Sequence, residues 1–419
     1  MARISILSVP AYGHVLPMLG VIRELVERGH DVEVLNGAEM EAVVARTGAR
    51  LVAYPPALTA GDFVKTLKAG NLVSFMDMML KATPPLADFT LAHLSANRPD
   101  VIVYDSIAFW GVIVKRMLRL PAVSDSPIFV PELIRHMVSW RELVWYGREI
   151  VKHLPSLAMG WIRIALRYGV RRLPLFLPFM PMRGDVNVIL SSREVHPKSP
   201  LFDNRDKWVF VGGTMDPETR PDPFDFSRLD GRPLVLVSLG TIQFTNDAFF
   251  RMVMETFADY PAQFVLAAGP GSDPTRLGQP PENFIVVPTY PQLPLLERAA
   301  AFITHGGLGS VHEGLWHGVP MVGVPQHFEQ LRNARAAQDA IVILDDRCYG
   351  REVTGPELRT ALEEVMSNPD YRAASRRLGE SLRAGGGSKA AADAIERVAL
   401  RRSARVHRQA AIPTAVDGV

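Results

Sequence analysis

The stretch His305-Gly-Gly-Leu-Gly-Ser-Val-His-Glu313 places three glycines, two histidines and a carboxylate directly after the apolar run "AAAFIT". Where a strand ends and a helix begins, free backbone N–H groups and the positive end of the helix dipole meet at the loop between them. Gly306, Gly307 and Gly309 let a bulky anion approach that backbone, Ser310 adds a hydroxyl, and His305 can donate from its ring. Together these make a cradle for a diphosphate. Glu313, one turn into the helix, can accept hydrogen bonds from a ribose diol. The alternative on these residues alone is a glycine-rich tight turn with no ligand.

Spacing tests the rival readings. A Walker loop would end in Gly-Lys-Ser or Gly-Lys-Thr, and the chain has neither. The dinucleotide fingerprint needs a third glycine where His312 stands, and the first strand, ending "VPAYGHVLP", lacks it as well, which disfavours hydride-transfer cofactors. The "HGG" triplet has no Gly-x-Ser-x-Gly elbow to serve as an esterase oxyanion loop. His305, His312 and His317 are poorly spaced for a metal, since the first lies on the loop and the other two are five residues apart on a helix.

A second pair with chemical potential is His14, between the first strand and first helix, and Asp105, directly after the strand "VIVY". Both emerge at the carboxyl edge of a parallel sheet and can face a cleft. A helix-start histidine without a proton role and an aspartate N-cap are the plainer readings.

The elements that must hold these residues are alternating strands and helices. "RISILSV", the helical "VLPMLGVIRELVERG" and "HDVEVLN" form a βαβ unit, and the rhythm returns at "PDVIVYD", "SIAFWGVIVKRMLRL" and "PAVSDS". A second series contains "PLVLVSLGT", "AQFVLAAG", "NFIVVPTY" and "AAFITHGG". With 419 residues, two domains of roughly 200 residues each are expected, with a cleft between them. The boundaries read as an N-terminal domain over 1–211, a linker rich in proline and turn formers over 212–233, and a C-terminal domain over 234–385. A C-terminal helix over 386–402 packs back toward the first domain, and 403–419 form a frayed tail.

The segment 126–183 breaks the rhythm with Trp140, Trp145 and Trp161, interleaved with Arg135, Arg141, Arg148, Arg163, Arg167 and Arg171. It reads as an amphipathic helical insertion, serving as a packed layer, a pocket wall or a membrane-surface face. Charge is balanced, 46 Lys and Arg against 44 Asp and Glu, so no global field favours nucleic acid or an anionic membrane. The single cysteine, Cys348, excludes an internal disulfide. No uncharged apolar run approaches the ~18 residues of a membrane span, and the N-terminus is no signal peptide, so a cytoplasmic location without stable membrane insertion is expected.

The stretch "THGGLGSVHEGLWHGVPMVGVPQHFEQLRNA" (304–334) resembles the donor-binding signature of family 1 nucleotide-sugar glycosyltransferases, most closely the bacterial macrolide and natural-product branch. The opening "VPAYGHVLPMLGVIRELVERGHDV" is similar to the start of the same branch, so the likeness spans both halves. The resemblance implies an α/β chain of two doubly wound Rossmann-like domains facing a cleft, the GT-B fold. It implies donor diphosphate contacts from His305, Gly307, Gly309, Ser310 and Thr241, ribose contacts from Glu313, sugar contacts from Glu329 and Gln330, and a nucleoside contact from Gln292. Where the family has a base-stacking tryptophan this chain has Thr289, with Tyr290 beside it as the candidate to stack instead, so uridine and thymidine donors both stay open.

The reaction implied is inverting transfer of a hexose from UDP-glucose, or of a deoxysugar from its dTDP form, to a hydroxyl of a large apolar natural product, with His14 as base and Asp105 as its orienting partner. No metal or further cofactor is expected, the nucleotide sugar being a co-substrate, with charge neutralisation left to the helix terminus and His305. Trp140, Trp145 and Phe109 are candidate walls for the acceptor. A monomer or homodimer is expected. The rival functions are a nucleotide-sugar-binding accessory protein without transfer activity and a membrane-peripheral glycolipid synthase.

Overall fold

A computed structural model describes residues 1–68, 72–129, 140–169, 184–216, 223–240, 246–269 and 272–410. Thr241, the middle of the 212–233 segment and both flanks of the helical insertion lie outside the described residues.

Thirteen described strands form two sheets. The first holds β1 (Arg3–Leu7), β2 (Asp31–Asn36), β3 (Arg50–Ala53), β4 (Val101–Asp105), β5 (Ala122–Ser126), β6 (Val186–Ile189) and β7 (Trp208–Phe210), in the order β3-β2-β1-β4-β5-β6-β7. The second holds β8 (Leu234–Ser238), β9 (Gln263–Ala267), β10 (Phe284–Val287), β11 (Ala299–Thr304), β12 (Met321–Gly323) and β13 (Ile341–Ile343), in the order β10-β9-β8-β11-β12-β13. Every pairing is parallel. Helices cover both faces, so β4, β5 and β8 are buried along their whole length, and β4 and β8 read as apolar-rich runs. In each sheet the order in which strands are added reverses once, between β1 and β4 and between β8 and β11. A crevice opens at the carboxyl ends of such neighbours.

Four of these strands do not stand out in the sequence. β3 is half-exposed, β7 and β13 have three residues each, and β6 follows the insertion. The stretch after "VPMVGVPQ" opens with the helix Phe328–Arg335 and then holds β13.

Apolar clusters fill both faces of each sheet. On the first sheet, Ile4, Ile6, Val101 and Val123 pack with Leu19 and Ile22 of the helix Tyr12–Glu27 and with Ala392, Ile395 and Val398 of the C-terminal helix Gly387–Ala410. That last helix is clamped to the first domain by ion pairs from Arg28 to Asp393 (2.7 Å) and Glu396 (2.8 Å) and by a hydrogen bond between His30 Nε2 and Glu396 (2.7 Å). The chain thus crosses to the second domain and returns. The returning segment passes close to the outgoing one at Gly212, whose φ of +74° suits glycine. A Cβ there would overlap the Leu382 carbonyl. Among the described residues no helix is long and apolar enough to cross a membrane.

Candidate active site

The first half of the site is built by adjacency of strand ends. β1 and β4 pair in register, Leu7 opposite Tyr104, so the turn after β1 and the end of β4 are neighbours. The turn carries His14 on the first turn of helix Tyr12–Glu27, and β4 ends on Asp105. His14 Nδ1 lies 2.7 Å from Asp105 Oδ2. The other carboxylate oxygen accepts the Ile107 backbone N–H at 2.8 Å. Asp105 is 1% exposed and His14 13% exposed, so the carboxylate is shielded while the imidazole still reaches solvent. Because a carboxylate only accepts, the ring proton sits on Nδ1 and the lone pair on Nε2.

Asp125 lies beside this pair, opposite Asp105 in the β4–β5 register. Burial, and the negative charge of Asp105, hold its carboxyl well above the usual carboxylate range. The cause is the cost of a second buried negative charge beside Asp105. The place of Asp125 was invisible in the sequence, where the two aspartates stand twenty residues apart.

The second half is the loop after β11. Gly306 adopts φ +79°, and a Cβ on it would lie 2.9 Å from the Gln330 carbonyl oxygen. The His305 ring sits in a slot between Gly240 and Gly307, where added Cβ atoms would stand 2.6 and 2.5 Å from it. Helix Leu308–Trp316 starts immediately after, with Gly307 as N-cap, so its free N–H groups open on the loop. At Gly309 a Cβ would meet nothing within 4 Å, which leaves open space over the helix start. Burial, with His327 nearby, pushes the His305 imidazole down to about 3. At that value the ring is neutral near pH 7, with one nitrogen able to donate and the other to accept.

Glu313 is buried, and Gln292 Nε2 donates to its Oε2 at 2.6 Å, bringing together two residues twenty-one positions apart. Glu329 and Gln330 open the helix Phe328–Arg335 but differ in setting. Glu329 is exposed and accepts from Asn333 Nδ2 at 2.6 Å, whereas Gln330 is buried and its side-chain oxygen accepts the Gln326 N–H at 2.8 Å. Ser310 is half-buried on the first turn of helix Leu308–Trp316.

Tyr290 differs from expectation as a stacking ring. It is 7% exposed and packed in the core with Leu236, Ile285 and Leu296, because its apolar face gains more from that core than from the rim. Thr289 alone of the two is only half-buried. Phe109 opens the helix Phe109–Leu118 and is packed with Ile107 and Trp110 behind Asp105. Trp140 and Trp145 belong to the helix Trp140–Tyr168, but their side chains lie outside the described residues.

The two halves face one another. A cleft between them is lined by Pro17, Pro127, Leu190, Thr214 and Met215 on one side and by Gly309, His312 and Glu313 on the other. Pro17 belongs to the helix that carries His14, one turn further on, and Gly309 to the helix that follows the glycine loop, so the cleft is walled by the elements that carry both groups.

Comparison with known proteins agrees with this geometry. The family described as UDP-glucoronosyl and UDP-glucosyl transferase matches residues 187–382, from β6 through the second domain. The oleandomycin glycosyltransferase of Streptomyces antibioticus is 31% identical, covering 94% of this chain and 90% of its own length. The demethyllactenocin mycarosyltransferase of Streptomyces fradiae is 28% identical over 94% of this chain and 86% of its own. Among solved structures, the glycotransferase of kitacinnamycin superposes with a TM-score of 0.77 at 30% identity, covering 95% of this chain and 98% of that one.

Proposed function

The chain belongs to the family 1 nucleotide-sugar glycosyltransferases of the GT-B fold, in their bacterial natural-product branch, and on that premise we propose inverting transfer of a hexose from UDP-hexose to a hydroxyl of a large apolar acceptor. The observation that carries this reading is the 2.7 Å His14–Asp105 bond at the edge of a cleft whose opposite wall is the glycine loop.

In the proposed reaction His14 Nε2 takes the acceptor hydroxyl proton as the oxygen attacks the anomeric carbon. The bond from that carbon to the diphosphate oxygen breaks with inversion, and UDP departs carrying the electron pair. The Asp105 carboxylate stabilises the imidazolium formed. The N-terminus of helix Leu308–Trp316 and the His305 N–H stabilise the leaving diphosphate, and Glu313, steadied by Gln292, holds the ribose. The family description favours uridine, while the mycarosyltransferase likeness keeps a dTDP-deoxysugar as the alternative donor.

Calorimetric titration with UDP and dTDP in EDTA, followed by UDP release from UDP-glucose in the presence of oleandomycin and a panel of macrolide and flavonoid acceptors, tests the reading. Saturable binding and acceptor-dependent UDP release are expected. His14→Ala should abolish release and leave UDP affinity nearly unchanged; absence of UDP binding in that variant sinks the assignment.

A second reading, a glycolipid synthase working at an anionic bilayer surface, has one observation in its favour. Val151, Met159, Ile162 and Leu166 are exposed along one side of helix Trp140–Tyr168, with Arg148, Lys152 and Arg163 exposed nearby. Co-sedimentation with phosphatidylglycerol vesicles separates the two readings.

A further inference from the structure

We infer that the hydrogen bond between Ser191 and His312 is a positioning contact that sets the spacing of the glycine loop from the His14–Asp105 pair, an inference that rests on the transfer reaction proposed above. His312 stands on helix Leu308–Trp316, directly before Glu313, and its Nε2 lies 3.1 Å from Ser191 Oγ. Ser191 follows the end of β6 at the carboxyl edge of the first sheet. Both residues are buried, at 5% and 1% exposure. The bond therefore ties the helix that would face the diphosphate to the sheet that carries the base.

Its neighbours place it in the site. Leu190 on one side, and Gly309 and Glu313 on the other, line the interdomain cleft together with His312 itself. The other polar ties from this loop, Ser192 to Ser381 at 2.7 Å and Glu194 to Arg377 at 3.2 Å, reach the helix Pro369–Ala384 instead. Burial, with His196 nearby, pushes the His312 imidazole down to about 3, so the ring is neutral throughout the working range. An apolar side chain at 312 would fill the same space without fixing a direction. A hydrogen bond is directional, and an error of about 1 Å between reacting groups costs on the order of a hundredfold in rate.

The test uses the full chain with His312→Ala, Ser191→Ala, the double variant and His312→Gln, whose amide reaches the place of Nε2. UDP affinity is measured by calorimetry and kcat by UDP release from UDP-glucose. Each single alanine variant is expected to lower kcat about tenfold, the size of one lost buried hydrogen bond, with UDP affinity held within about twofold. The double variant should be no slower than the slower single, and His312→Gln should regain most of the rate. Multiplicative losses in the double variant, unchanged kcat in Ser191→Ala, or lower melting temperature with normal kcat would each overturn the spacing role alone. Failure of the unaltered protein to bind UDP or dTDP overturns the transfer reading, and this inference with it.

Discussion

Replacing Asp105 by asparagine keeps the volume of the side chain and removes its charge, and the structure decides which way the amide must face. The Ile107 N–H donates to one Asp105 oxygen at 2.8 Å and His14 Nδ1 contacts the other at 2.7 Å. In the variant the amide oxygen must stay with Ile107, because a buried N–H without an acceptor costs about 1 to 3 kcal/mol. The NH₂ group then points at Nδ1, which turns the ring to the tautomer with its proton on Nε2. That nitrogen can no longer take the acceptor proton, and the charge that would stabilise an imidazolium has gone. A base lost by wrong tautomer lowers kcat by about 10³ to 10⁴. The measurement is UDP release under saturating UDP-glucose, with UDP calorimetry as the control, since the glycine loop lies on the other domain. Asp125→Asn, which replaces a carboxyl whose charged form burial and Asp105 disfavour, should change kcat by less than about threefold. If Asp105→Asn retains kcat within about tenfold of the unaltered protein, Asp105 does not orient the base and the reasoning fails.

Other expectations follow from the same geometry. Glu313→Ala removes the proposed ribose acceptor and strands the Gln292 amide, so UDP affinity should fall about tenfold to a hundredfold by calorimetry, as for a lost charge-assisted hydrogen bond. Gly306→Ala forces a side chain into φ +79° and toward the Gln330 carbonyl, which should cost about 1 to 3 kcal/mol in urea unfolding and weaken UDP binding. Acid should destabilise the fold early. Burial lowers His196 to about 4 and His312 to about 3, both below the unfolded value near 6.5. Between those limits the unfolded chain binds protons that the native one refuses, so this stability is complete above pH 6.5 and falls as pH drops toward 4. The slope is about 1.4 kcal/mol per pH unit for each ring. Urea midpoints at pH 7.5 and 5.0 check this, and equal midpoints would refute it.

What the sequence displays and what it conceals divide along a physical line. Strands such as β4 and β8 are legible because helices bury them on both faces, which leaves continuous apolar runs such as "LVLVS". The short strands β7 and β13 are not, since three residues carry no period. The glycine loop is legible because its demands are local: a strand end, a helix start and backbone without side chains between them. Gly240 is not, because it makes room for a ring sixty-five residues further on. His14 and Asp105 show their places at two strand ends, but only the β1–β4 pairing makes those ends adjacent. Tyr290 shows the reverse error, since its neighbourhood in the sequence suggested a ring at the rim, whereas the fold turns it into the core. Asp125 and Ser191 are ordinary residues in the chain and acquire meaning only from partners across a sheet register or a domain boundary. In this protein the donor loop is written locally, while the partners that tune the base and join the domains come from long-range packing, so variants of the second kind are the sharper test of the fold.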